Sequence, residues 1–162
     1  MEGFLKTGFS KTSSLKLINS SFINNNEQDY FSTIDLGVVD LKNGNLEIVK
    51  KGAAPTYIIH SDGEYEVIKI NTLPIGIFNG EKGKIRKTVL KKDDILVMAS
   101  DGITDALSKE DWIIDALSAI NSKNTEYIAE TIMKIAEAAK GGSDDDKTVI
   151  VAKLCLTDEK TA

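Results

Sequence analysis

The chain has 162 residues, 20 Lys and Arg against 25 Asp and Glu, and a net charge of −5. That length fits one domain, and 41% hydrophobic with 28% charged residues excludes disorder and fibrous repeats. The acidity argues against a nucleic-acid partner, which needs clustered Lys and Arg.

No apolar run approaches the roughly 20 residues of a membrane helix, so no membrane contact by this chain is expected. Residues 1–6 lack the layout of a signal peptide. One cysteine, Cys155, makes no internal disulfide, which points to a reducing, cytoplasmic setting. There is one histidine, His60, so any Ser/His or Cys/His pair must use it. A zinc site of Cys and His ligands is excluded on the same count. The excess of carboxylates points instead to hard cations if a metal binds.

The first 30 residues read as helix, loop, helix. Residues 11–23 place Leu15, Ile18 and Phe22 at helical spacing, with Ser10 or Thr12 as the cap. Residues 24–29 are a polar loop. From Tyr30 the period becomes two, with Ile34, Leu36 and Val38 alternating with Thr33, Asp35 and Gly37. Asn43-Gly44 predicts a type I′ turn, since both residues tolerate positive φ. Residues 46–50 are the return strand, ended by Gly52 to Pro55. Strands 56–60 and 64–70 form a second hairpin around Ser61-Asp62-Gly63.

Residues 71–83 read as an irregular loop. Strands 84–90 and 95–99 are joined by Lys91-Lys92-Asp93-Asp94, whose lysines read as solvated turn charges. The second strand is solidly apolar, so both its faces should be covered. Two helices come next. Ser108, with Asp111 three residues on, predicts the cap of the first, and Trp112, Ile113, Ala116, Leu117 and Ile120 its apolar face. Thr125 predicts the cap of the second, with Ile128, Ile132, Ile135 and Ala139 as its stripe and Gly141-Gly142 as its stop. Residues 149–156 are a last strand, in which Cys155 reads as a small packed residue. Residues 157–162 read as a disordered tail. Hairpins and segregated helices predict an α+β fold, a four-layer α-β-β-α sandwich of antiparallel sheets.

Two acidic segments carry the chemistry. Ser100-Asp101-Gly102 ends the apolar strand, so Asp101 would be presented on a rigid support; Asp-Gly is equally an ordinary turn. Asp144-Asp145-Asp146 precedes the last strand and also reads as a solvated charge run. At one sheet end, however, a divalent cation would relieve the repulsion, and Asp101 and Asp145 could share it. Water on such a cation suits phosphate ester hydrolysis without a side-chain nucleophile. His60 reads as an edge residue with nothing placing it near Asp101, and Trp112 as a core anchor.

Segments spread along the chain carry a resemblance. They are Ser32-Thr33-Ile34-Asp35-Leu36-Gly37-Val38-Val39-Asp40-Leu41, residues 44–55, Leu73-Pro74-Ile75-Gly76, Ser100-Asp101-Gly102-Ile103-Thr104-Asp105-Ala106 and Asp145-Asp146-Lys147-Thr148-Val149. Through them residues 2–156 resemble the stage II sporulation protein E phosphatase domain of the metal-dependent protein phosphatase 2C family. The resemblance implies an α-β-β-α sandwich with two manganese or magnesium ions, and hydrolysis of phosphoserine or phosphothreonine in a protein by metal-bound water. It implies as substrate a phosphorylated anti-anti-sigma factor, whose dephosphorylation frees a sigma factor, and a membrane-anchored parent. Asp101 and Asp145 match family metal ligands, and Asp146 is a weaker candidate. Lys147 stands where the family usually has methionine.

The family's Gly-Asp-Gly motif, which supplies the groups bridging the two metals, occurs nowhere in this sequence. The expectation is therefore an N-terminally truncated domain over residues 1–156, with part of the metal shell, little or no turnover alone, and exposed sheet edges prone to self-association. The alternative is a non-catalytic regulatory module that binds a sigma-regulatory partner through the loop 71–83 and a sheet edge.

Overall fold

The computed structural model describes residues 3, 6–24, 30–79, 84–109, 111–139 and 145–155. The polar loop 25–29, the Gly141-Gly142 stop, Asp144 and the tail 157–162 lie outside them. In chain order the elements are α1 (Lys11–Asn24), β1 (Ile34–Val39), β2 (Asn45–Lys51), β3 (Thr56–Ile59), β4 (Tyr65–Ile68), β5 (Ile85–Val89), β6 (Ile95–Ala99), α2 (Asp101–Thr104), α3 (Trp112–Ala119), α4 (Thr125–Ala138) and β7 (Val149–Lys153). The strands form a three-stranded sheet in the order β1-β2-β5 and a four-stranded sheet in the order β4-β3-β6-β7. Strands β5 and β6 thus belong to different sheets, and their short link is a crossover rather than a hairpin.

The residues divide into two compact units. The first comprises Met1–Val38, Glu47–Ala53 and Ile70–Lys87. Its helix α1 starts where expected, with the Ser13 amide donating to Ser10 Oγ at 3.1 Å. The buried face follows the predicted apolar stripe only in part. Leu15 is buried with Ser14 and Asn19, and Phe22 is exposed. Asn19 is tolerated inside because both ends of its amide are used: Nδ2 donates to the Phe78 carbonyl and Oδ1 accepts from the Gly76 amide, both at 2.9 Å. Lys50 is fully buried on β2 and paired with Asp35 at 2.5 Å. Burial pushes the Lys50 ammonium below its ordinary value, and Asp35 offsets this only in part.

The second unit comprises Val39–Leu46, Ala54–Lys69 and Thr88–Ala162. Its sheet is antiparallel, and β6 is central, pairing Val97 with Tyr57 on one side and with Val151 on the other. A central strand is apolar on both faces because both are covered. Ile95, Leu96, Val97 and Ala99 are all buried. Around them gather Ile103, Trp112, Ile113, Leu117, Ile128, Ile132 and Ala136. Each fully buried Ile or Leu of this kind contributes about 1.5–3 kcal/mol.

Local expectations fail in four further places. The turn before β2 is not type I′, because Asp93 is the one described non-glycine residue with positive φ, and Asn43 is not in that region. Instead the Gly44 amide closes on the Asp40 carbonyl at 2.8 Å, and Asp40 Oδ1 accepts from the Lys42 amide. Helix α3 starts at Trp112 after Asp111, and Ser108 does not cap it. Helix α4 is capped by Asn124, whose side chain accepts from the Tyr127 amide at 2.9 Å, and not by Thr125. Its buried stripe is Ile128, Ile132 and Ala136. Cys155 is exposed rather than packed, since β7 ends two residues earlier.

Candidate metal centre

Ala99 pairs with Val149, the last pairing of β6 with β7. Both strands are held in the sheet, so the segment leaving β6 and the segment entering β7 lie side by side. After β6 the chain turns into the single helical turn α2, opened by Asp101. The Asp-Gly pair is therefore a helix start rather than a reverse turn. On the other side run Asp145, Asp146, Lys147 and Thr148.

The closeness of the two segments is measurable at Gly102. A Cβ placed there would lie 2.5 Å from the Asp146 carbonyl oxygen and 3.0 Å from that of Asp145. Only a residue without a side chain admits this approach. Asp101 Oδ1 accepts from the Gly102 amide at 3.0 Å, and Asp145 Oδ1 accepts from the Asp146 amide at 2.9 Å. Each carboxylate is thus oriented by the next amide along the chain. Asp101, Asp145 and Asp146 are all exposed to solvent. Trp112 is buried, as expected of a core anchor, and its Nε1 donates to the Thr104 carbonyl at 3.0 Å, fixing the far end of α2.

The donor chemistry suits a hard divalent cation: accessible carboxylates on firm supports, with main-chain carbonyls beside them. Among the described residues the number of donors is short of a complete set. Among the described residues no group of three or more His, Cys, Asp or Glu side chains is gathered as a metal site.

His60 sits at the opposite end of the same sheet, beyond the Ile59–Ile95 pair. It lies away from Asp101, as its sequence context suggested, and its ring is paired there. Its Nδ1 lies 3.0 Å from Asp94 Oδ2, and Asp94 also accepts from the amides of Ser61 at 2.8 Å and Lys91 at 2.9 Å. Burial pushes the Asp94 carboxyl up, but these bonds outweigh it and hold the group below its ordinary range. Lys91 and Lys92 are exposed, as expected.

Residues 1–154 match the family model of stage II sporulation protein E. The chain belongs to the stage II sporulation protein E family. A stage II sporulation protein E of Priestia megaterium is 32% identical over 161 residues, covering 95% of this chain and 27% of that protein. The chain thus spans about a quarter of that relative's length. Among solved structures, the PP2C phosphatase domain of SpoIIE from Bacillus subtilis, with a fragment of its regulatory domain, superposes with a TM-score of 0.83 at 28% identity. That match covers 94% of this chain and 46% of the other. A manganese-presoaked phosphatase domain of the same protein gives a TM-score of 0.71 at 27% identity, over 98% of this chain and 72% of the other. The fold is accordingly the α+β sandwich class of the PP2C phosphatases, as expected.

Proposed function

We propose that this chain is part of a metal-dependent protein serine/threonine phosphatase, with residues 1–156 as a portion of the catalytic domain. Asp101 and Asp145 are the ligands of a manganese or magnesium ion, with Asp146 as a further candidate. A divalent cation there supplies positive charge toward the phosphoryl oxygens and lowers the pKa of water at the site. The chain's own residues do the rest. The acidic segments orient their carboxylates through the amides of Gly102 and Asp146. Gly102, having no side chain, lets the Asp145–Asp146 main chain come close to the start of α2. No nucleophilic side chain is required, in keeping with His60 lying at the far end of the sheet.

The supporting observation is the approach of the Asp145–Asp146 main chain onto Gly102 at the tip of β6. The substrate is a phosphorylated anti-anti-sigma factor-like protein, a proposal carried by family membership, and the setting is cytoplasmic. Among the described residues no helix is long and apolar enough to cross a membrane.

The test is manganese titration monitored by thermal unfolding, run beside para-nitrophenyl phosphate hydrolysis. A stabilising shift that vanishes in Asp101→Asn and in Asp145→Asn is expected. Turnover by this chain alone is expected to be slight, since the donor set among the described residues is incomplete. The absence of any shift removes the metal reading.

One observation favours a second reading, a non-catalytic module binding a sigma-regulatory partner. The described part of the loop 71–83 exposes Leu73, Ile77 and Phe78. Partner binding unaffected by manganese and by Asp101→Asn would select this reading.

A further inference from the structure

Between the two acidic segments lies a residue that neither ligates nor packs in the core. The ladder between β6 and β7 ends at Ala99 and Val149. Beyond it a single main-chain bond continues the pairing before Asp101 turns into α2. Ser100 bridges the gap. Its amide donates to the Thr148 carbonyl at 2.9 Å. Its hydroxyl accepts from the Thr148 amide at 3.0 Å and donates to the Asp146 carbonyl at 3.1 Å. The hydroxyl therefore uses both its acceptor and its donor on one segment, 46 and 48 residues away in sequence. The Asp146 carbonyl it holds is the same atom that would meet a Cβ on Gly102 at 2.5 Å.

We propose that Ser100 is a positioning residue for the metal centre: its hydroxyl fixes the separation between Asp101 and Asp145. This rests on the metal reading above. A short hydroxyl suits the task. It extends the sheet by a side-chain substitute for two ladder bonds, while leaving the main chain free to start α2. Without it, Thr148 and Asp146 exchange their partner for water, since both are exposed. The strand ends then keep their fold but lose a fixed distance. Partners that orient ligands in this way typically change metal affinity by about 10–100-fold when removed.

The experiment compares Ser100→Ala, Ser100→Thr and Ser100→Val in the 162-residue chain. Manganese affinity is measured by calorimetry, metal-free melting by circular dichroism, and exchange of the Thr148 amide by NMR. Ser100→Ala should bind manganese about 10-fold or more weakly, with metal-free melting unchanged and the Thr148 amide exchanging faster. Ser100→Thr, which keeps the hydroxyl, should restore both. Should Ser100→Ala fail to fold, the Thr and Val variants decide, since they match in shape and differ in the hydroxyl. Equal affinity in that pair, or wild-type affinity in Ser100→Ala, overturns the positioning role while leaving the metal centre standing. A wild-type chain that binds no manganese overturns the metal reading and this role with it. Thr148 exchange separately reports whether the hydroxyl bond exists in solution, and unchanged exchange in Ser100→Ala also overturns the role.

Discussion

Asp94→Ala is expected to destabilise the second unit sharply without touching the proposed metal centre. The Asp94 side chain is fully buried and accepts three hydrogen bonds, from the Ser61 amide, the Lys91 amide and the His60 ring. Those donors lie on the β3–β4 turn and on the β5–β6 link, so one carboxylate ties two connections to the sheet. A hydrogen bond to a charged group contributes about 1.5–3 kcal/mol, and the relief of burying that charge returns part of the total. A net loss of about 3 kcal/mol is expected. For a chain of this size that lowers Tm by about 6–12 °C. Asp94→Asn should lose somewhat less. It keeps one acceptor, but whichever way the amide is turned, its NH2 group faces a backbone N–H that can only donate. The assay is thermal unfolding at neutral pH, with and without manganese. A fall of less than about 2 °C in Asp94→Ala would refute the reasoning. The manganese-induced shift expected of the proposed site should survive, because the six residue steps from Asp94 along β6 to Ser100 put about 20 Å between Asp94 and the start of α2.

Other outcomes rest on the same geometry. Glu47 lies 2.6 Å from Lys11 and 2.9 Å from Lys87, and their hydrogen bonds lower its carboxyl from 4.5 to about 2. Because the folded value is depressed, the contribution of Glu47 is complete above pH 4.5 and is lost as pH falls toward 2. Glu47→Gln should flatten the acid limb of stability in that window; solvent screening limits the effect at neutral pH to about 1 kcal/mol. Gly44→Ala should lose more than about 2 kcal/mol by urea unfolding. Gly44 has φ +73° and its added Cβ would sit 2.0 Å from the Leu90 carbonyl oxygen. Gly63→Ala, at φ +93° with nothing within 4 Å, should lose only the backbone strain of about 1 kcal/mol.

Strand residues are the legible part of the sequence, because their periods are set by the layers they face. The run Ile95 to Ala99 is apolar throughout since β6 lies between two strands with both faces covered. Helix ends are less legible. Ser108 carries a capping pattern, yet α3 starts at Trp112. The indole is buried against the core and donates to Thr104, so tertiary packing chooses the start over a local cap worth about 1 kcal/mol. Sheet membership is hidden altogether. A short link between two strands looks like a hairpin, and nothing local says that β5 and β6 pair with different partners.

The acidic residues divide along a similar line. Asp101 stands out because a solid apolar strand leads to it, and a strand held in the middle of a sheet gives the residues just after it a firm support. Asp94 occupies the mirror position, just before the same strand, where its neighbours in sequence make it look like part of a polar turn. Its burial depends on donors from Ser61 and His60, more than thirty residues away. The two carboxylates sit at opposite ends of β6 with opposite surroundings. Asp94 is sealed and satisfied by protein donors, which suits it to hold structure. Asp101 is open to solvent and oriented by one adjacent amide, which leaves it available to a ligand from outside. Sequence marks both as acids beside a strand; the donors brought by other strands separate the structural acid from the candidate ligand.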